Sequence, residues 1–200
     1  MGGMNFYGYV GNSPLSHIDP SGLWSTEAHN QIIWNALHPC GVSNADIWQI
    51  QQGSRFADQG AFQGGEWAFM HAMSNGNTSQ SASAAENQTA AFIASQMHDA
   101  VSVYNAGGTS QAMFIFGLAM HPVMDVTSPA HTDANGNPIP WCGMNPFSCS
   151  QWWQHWGPQS IEDKKHLDAH PEVQEIENFM IRNWFQALTG KPLNCNGCSN

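Results

Sequence analysis

Basic side chains are scarce in this sequence, with five lysines and arginines against 15 aspartates and glutamates and a formal net charge of −10. A protein that binds duplex nucleic acid neutralises phosphates with clustered lysine and arginine. The five are Arg55, Lys164, Lys165, Arg182 and Lys191, and they form no basic patch in the sequence. The composition therefore argues against stoichiometric binding of duplex nucleic acid.

Long apolar runs are missing too. No run of 18 apolar residues occurs, so we predict no transmembrane span. No basic segment followed by an apolar stretch marks a signal peptide. The odd number of cysteines, five, argues against a complete disulfide framework. Cys142 and Cys149 could bridge a loop, whereas Cys195 and Cys198 form one C-x2-C pair that fits a disulfide, a frayed end or a zinc clip.

Hydrophobic periodicity predicts an all-α fold, with helices and no convincing strand after residue 23. The expected helices start after a cap at Ser25 or Thr26, at Ser43 with Asp46, at Ala85, after a cap at Thr109, at Ser160 with Asp163, and at Pro171. Residues 74–84 are expected to form an exposed loop. Residues 128–158 are expected to form a long loop whose tryptophans could meet a lipid surface: Trp141, Trp152, Trp153 and Trp156.

The pattern that carries chemistry is His121-x3-Asp125-x5-His131 in the segment FGLAMHPVMDVTSPAHTD. Neighbours four apart share one face of a helix. That helix is expected to run to about Val126, with Pro129 preventing its continuation towards His131. Imidazole nitrogen and carboxylate oxygen at close spacing suit zinc. A single buried histidine would be an ordinary core residue, but three such groups buried without a cation would be costly.

The first 23 residues are rich in Gly, Asn, Ser and Pro and contain Asp19-Pro20-Ser21-Gly22-Leu23. This segment resembles the end of the core of Rhs-repeat (YD-repeat) polymorphic toxins. In that family the motif marks the junction between a β-cage shell and a C-terminal toxin, and the shell cleaves itself after the Leu. The resemblance implies two units, residues 1–23 as the end of the shell and 24–200 as a toxin domain.

The order of histidines and aspartates after Trp24 resembles that of bacterial zinc-dependent phospholipases C. It also resembles their relatives, the single-strand-specific zinc nucleases. The resemblance is strongest over residues 112–131 (AMFIFGLAMHPVMDVTSPAH) and weaker elsewhere. It implies an all-α domain holding up to three zinc ions.

Carried over position by position, the resemblance gives a ligand set for each ion. Trp24, His29 and Asp125 would bind one zinc. Asp58, His71 and His121 would bind a second together with Asp125, which bridges the two. Asp58 could also act as general base.

The third zinc would take His131, His155 and an acidic residue. The sequence departs from the family here, because Gln159 stands where the family has Glu and Pro158 interrupts the helix. Glu162 is our substitute. Asp133, Glu162 with His166, or water are alternatives.

The two resemblances meet at the bond between Leu23 and Trp24. In the phospholipases the free amino group of the first residue, a Trp, binds zinc, whereas an amide nitrogen is a poor ligand. Cleavage after Leu23 would release that amine. We therefore hypothesise that self-cleavage completes the metal site; otherwise Trp24 is a core residue of the first helix.

These resemblances predict a toxin effector that hydrolyses membrane phospholipids and is delivered into a target cell, at its periplasm or membrane surface. A cognate immunity protein and the Rhs shell of the same polypeptide are the expected partners. One alternative is a zinc nuclease that attacks single-stranded DNA or RNA. Another, from a different class, is a non-catalytic domain that zinc stabilises through protein ligands alone.

Overall fold

A computed structural model describes residues 26–143 and 164–195, and the side chains of residues 164–166 are left out of the description. This part of the chain is mostly helical, as the sequence predicts. Its α-helices are α1 (Thr26–Leu37), α2 (Asn44–Ala57), α3 (Ala82–Asn105), α4 (Thr109–Asp125), α5 (Lys164–Ala169) and α6 (Pro171–Thr189). Short 3-10 helices cover His38–Cys40, Gly60–Phe62, Gly65–His71 and Gly76–Thr78.

Helix α4 lies at the centre of the core. Its residues are apolar on nearly all sides, and a helix of that kind is stable only when it is surrounded. It packs against α2, α3 and α6. Phe116 and Met120 are completely buried within this core. Because His121 and Asp125 belong to the same helix, they are carried into the interior with it.

Two glycines allow α2 and α4 to approach at backbone contact. A Cβ on Gly53 of α2 would overlap the carbonyl oxygen of Phe114, and a Cβ on Gly117 of α4 would overlap that of Ile50. Neither helix could come this close with a larger residue at these positions. The contact brings Ser54 and Asp58 of α2 next to the last turns of α4.

Several predicted boundaries are confirmed. The side chain of Ser43 accepts a hydrogen bond from the backbone N–H of Asp46 and caps α2. Helix α6 begins at Pro171 and ends at Gly190, whose φ of 66° is in the left-handed region typical of a terminating glycine. The predicted caps at Ser25 and Ser160 lie outside the described residues, as does the whole of the 1–23 unit.

Helix α4 ends at Asp125, which agrees with the predicted end near Val126. It ends before Pro129 because the N–H groups of Thr127 and Ser128 already bond to carbonyls three residues back. Two helix starts were predicted wrongly. Gly108 occupies the cap position of α4 instead of Thr109. The 74–84 segment is not simply a loop, since α3 starts at Ala82 and Ser81 caps it.

A short parallel strand pair was also unexpected. Strand β1 (Ser74–Asn75) pairs with β2 (Pro140–Trp141). Two residues are too few for an alternating pattern to be visible in a sequence. Trp141 is 3% exposed, so it belongs to a small core cluster and does not meet a lipid surface. The other tryptophans of the predicted loop lie outside the described residues.

Cys40 forms a disulfide with Cys195, so the C-x2-C pair near the end of the chain is not a zinc clip. Cys142 is disulfide-bonded as well, and Cys149, its expected partner, lies outside the described residues. None of the described helices is both long enough and apolar enough to cross a bilayer.

Candidate metal centre

The predicted ligands within the described residues all come together in one buried cluster. Trp24, His155 and Glu162 lie outside these residues. The members come from five parts of the fold: His29 from α1, Asp58 from the C-cap of α2, His71 from the end of a 3-10 helix, His121 and Asp125 from α4, and His131 from the turn after α4. Asp58 is 8% exposed and each of the others 1% or less.

The donor atoms around His121 have the spacing of ligands to one ion. His121 Nε2 lies 3.0 Å from His71 Nδ1, 3.2 Å from Asp58 Oδ1 and 3.1 Å from Asp125 Oδ2. A tetrahedral zinc site with bonds of about 2.0–2.1 Å places its donors about 3.3 Å apart. Two nitrogens and two carboxylate oxygens therefore surround a volume of suitable size.

The second oxygen of Asp125 faces a different histidine. Its Oδ1 lies 3.0 Å from His29 Nε2, whereas its Oδ2 lies 3.3 Å from His71 Nδ1. Two donor groups result, each with atoms within 4.8 Å of one another: one of His29, His121 and Asp125, the other of Asp58, His71 and His121. The cluster could thus hold a metal ion. His121 belongs to both groups, and Asp125, a member of the first group, also lies 3.3 Å from His71 of the second.

Several atoms of the cluster fit the need for a cation. Among the described residues, both carboxylate oxygens of Asp58, Asp125 Oδ2 and His29 Nδ1 are buried without a partner in good hydrogen-bond geometry, although histidine nitrogens approach the carboxylates closely. Buried polar atoms are normally hydrogen-bonded, and each exception needs a reason. A divalent cation among these atoms would supply one, because carboxylate oxygen and imidazole nitrogen are its natural ligands.

Charges in the cluster shift the pKa values in opposite directions. Burial alone would raise the pKa of Asp125, but the charges of His121 and His131 and their hydrogen bonds hold it well below its usual value. Burial lowers the pKa of His121, yet the carboxylates Asp125 and Asp58 outweigh burial and raise it well above the ordinary value. Without metal, protons on histidine balance the carboxylates, so a metal ion must displace them.

His131 lies at the edge of the same cluster, with Nδ1 3.4 Å from Asp125 Oδ2. Asp133 is the acidic candidate for the third ion that lies within the described residues. It is exposed, and its carboxylate accepts hydrogen bonds from Asn135 and Asn137 within its own turn. It is therefore not among the converging donors. The side chain of His166 lies outside the description.

Sequence reasoning missed two polar residues that touch the cluster from outside. Ser54 Oγ lies 3.2 Å from His121 Nδ1, and Gln63 Nε2 lies 3.3 Å from His71 Nε2. Both side chains are buried. Ser54 lies four residues after Ile50 on the core face of α2. This helical spacing could have predicted from the sequence that Ser54 is buried. Nothing in the sequence marks Gln63, because its position depends on a tertiary contact.

A third missed residue is Glu177, on the buried face of α6 with Ile181 and Phe185. Burial raises its pKa to about 7, against the opposing effect of a hydrogen bond with Thr127. Thr127 Oγ1 lies 2.7 Å from both Met124 O and Glu177 Oε1, but a hydroxyl has one hydrogen to donate. A protonated Glu177 donating to Thr127 satisfies both contacts. Its spacing from Ile181 could have placed it on the core face.

Comparison with protein-family models, with curated proteins and with solved structures gives no match to this chain. The buried cluster and the sequence motifs are therefore the features of this chain that bear on its function.

Proposed function

We propose that this chain is a zinc-dependent phosphodiesterase of the phospholipase C type that acts on membrane phospholipids. The observation that carries the proposal is the buried convergence of three histidines and two aspartates, with Asp125 facing two donor groups. Imidazole and carboxylate in this proportion favour zinc over magnesium or calcium, which prefer oxygen alone. The order of the same residues along the chain resembles the zinc phospholipases.

The residues divide between two ions. His29 and Asp125 would hold one, together with the amine of Trp24, and Asp58, His71, His121 and Asp125 would hold the other. A third ion, with His131, His155 and Glu162 as ligands, is part of the proposal. When bound, zinc supplies an acidified water as nucleophile and neutralises charge on the phosphodiester and the leaving oxygen.

Asp58 is the residue we assign as general base. It is the most exposed member of the cluster, and nitrogens of His29 and His121 approach its two oxygens. Burial would raise its pKa, but the charge of His121 and hydrogen bonds from His121 and His29 outweigh burial and lower it. The carboxylate is therefore ionised at neutral pH and able to accept a proton.

Charge supports a lipid substrate over a nucleic acid. Removal of residues 1–23 takes away only Asp19, which leaves five basic against 14 acidic residues. Such a surface offers little attraction to a polyanionic strand. We further propose that the domain is a polymorphic-toxin effector, released from its Rhs shell by cleavage between Leu23 and Trp24, acting in a target cell and neutralised by an immunity protein.

Substrate is tested with the protein starting at Trp24. Zwitterionic vesicles of phosphatidylcholine and phosphatidylethanolamine are compared with single-stranded DNA and RNA, with added zinc or with a chelator. We expect zinc-dependent release of water-soluble phosphate esters from vesicles and none with His121→Ala. Cleavage of oligonucleotides alone would favour the nuclease. Zinc binding without hydrolysis of either substrate would support the interpretation that this is a non-catalytic, zinc-stabilised domain.

Activation is tested separately by elemental analysis. The protein starting at Trp24 should hold about one zinc more than the chain that retains residues 1–23. Equal zinc content in both forms would remove the role of the new amine while leaving the enzyme proposal intact.

A further inference from the structure

Gln63 is held at the wall of the cluster by its own backbone. It follows the 3-10 helix Gly60–Phe62, and its side chain is buried. Its carbonyl oxygen accepts a hydrogen bond of 3.1 Å from the indole N–H of Trp141. The buried indole therefore holds the backbone of Gln63 beside the cluster, and the side-chain amide of Gln63 lies 3.3 Å from His71 Nε2.

The imidazole of His71 has a different neighbour at each nitrogen. Nδ1 faces the interior of the cluster, 3.0 Å from His121 Nε2 and 3.3 Å from Asp125 Oδ2. Nε2 faces the amide of Gln63. A neutral imidazole has one N–H and one lone pair. For Nδ1 to bind a cation its lone pair must be free, so the hydrogen must be on Nε2.

That tautomer requires a hydrogen-bond acceptor beside Nε2. In the Gln63 amide the oxygen can accept, whereas the nitrogen can only donate. With the amide nitrogen towards Nε2, two donors would face each other. A half-turn of the amide exchanges its nitrogen and oxygen within the same volume. In the present orientation Gln63 Oε1 is buried without a hydrogen bond among the described residues, so the half-turn breaks no bond to that oxygen.

We propose that Gln63 is a positioning residue for the metal centre, whose amide oxygen accepts the Nε2–H of His71 and thereby holds the Nδ1 lone pair towards the cation. The inference depends on the metal centre proposed above but not on its substrate. Ligating histidines commonly donate their second nitrogen to an acceptor, and loss of that acceptor weakens metal binding by about 10–100-fold.

Two substitutions of Gln63 distinguish the effect of its acceptor oxygen from the effect of its side-chain volume. Gln63→Met keeps the length of the side chain and removes the acceptor, so zinc should bind about 10–100-fold more weakly. Gln63→Glu offers only acceptor oxygens and should bind zinc at least as tightly as the natural residue. If the amide acted as a donor, Gln63→Glu would be as harmful as Gln63→Met. Gln174→Met is the matched control, because Gln174 bonds to Asn35 and Leu167 away from the cluster.

The experiment titrates the full chain with Zn²⁺ in competition with a chelator and records ¹⁵N spectra of its histidines. We expect weakened binding in Gln63→Met, binding retained in Gln63→Glu and Gln174→Met, and an Nε2–H tautomer at His71 in the zinc-loaded protein. Thermal unfolding without metal checks that each variant folds.

The outcomes separate this inference from the proposed function. Equal zinc affinity in Gln63→Met and the natural chain would overturn the role of Gln63 alone. A hydrogen on Nδ1 of His71 in the zinc-loaded natural chain would do the same, even if Gln63→Met did not fold. A natural chain that binds no zinc would overturn the metal centre itself and this role with it.

Discussion

Asp125 is the residue whose loss should affect two metal positions at once. Its Oδ1 lies against His29 and its Oδ2 against His121 and His71, so in the proposed division of ligands its two oxygens face different ions. Asp125→Asn keeps the size of the side chain and removes the charge that both groups share. We expect it to empty both positions, whereas His29→Gln and His71→Gln should each empty one.

The size of the effect follows from burial. Asp125 is completely buried. Removal of one partner from a buried charge pair costs about 3–5 kcal/mol. The same loss in the binding free energy of each ion weakens its affinity by about a hundredfold or more. That is enough to remove zinc during desalting against a moderate chelator.

The assay is zinc per chain by elemental analysis after such desalting, for the protein starting at Trp24. Asp133→Asn is the matched control, since it neutralises an exposed aspartate whose bonds stay within its own turn. It should keep the zinc content of the natural protein. If Asp125→Asn also keeps it, or if His71→Gln removes as much zinc as Asp125→Asn, then the shared role of Asp125 is wrong.

Three further predictions concern the framework. Gly117→Ala gains about 1 kcal/mol of helix propensity but forces α2 and α4 apart. The melting temperature of this variant should therefore fall by about 2–8 °C. Gly60→Ala is the control, because Gly60 has open space around it, and its melting temperature should not fall. The pKa of Glu177 is about 7 in the fold, so the contribution of Glu177 to the stability of the metal-free protein should fall with a slope in pH from about 4.5 to 7. Glu177→Gln should abolish that slope and add roughly 3 kcal/mol at about pH 8 in urea unfolding, and an unchanged slope would contradict the buried proton. Cys40→Ser combined with Cys195→Ser should cost about 2–5 kcal/mol of unfolding free energy without a change in zinc affinity, and altered affinity would show that the disulfide shapes the metal centre.

Local signals explain why part of the site was predictable. His121 and Asp125 are separated by one helical turn within an apolar run, so their shared direction follows from helix geometry. The cap at Ser43 and the end of α6 at Gly190 also depend on residues nearby in the chain. Such features can be inferred from a window of a few residues.

The unpredicted features depend on contacts between distant segments. The backbone of Gln63, whose side chain contacts His71, is bonded by Trp141, 78 residues later in the chain. The parallel pairing of β1 with β2 and the disulfide between Cys40 and Cys195 are of the same kind.

The close contact of α2 with α4 positions part of the candidate metal centre. Gly53 and Gly117 let the two backbones meet, and the same approach places Ser54 3.2 Å from His121 Nδ1. A hydroxyl oxygen there can accept the Nδ1–H of His121 and leave the lone pair of Nε2 towards the cluster. Ser54 and Gln63 thus contact their histidines in the same way. Each lies outside the cluster, next to the imidazole nitrogen that points away from the other donors. The orientation of both rings is therefore set by protein contacts before a cation binds, which lowers the cost of organising the site around it.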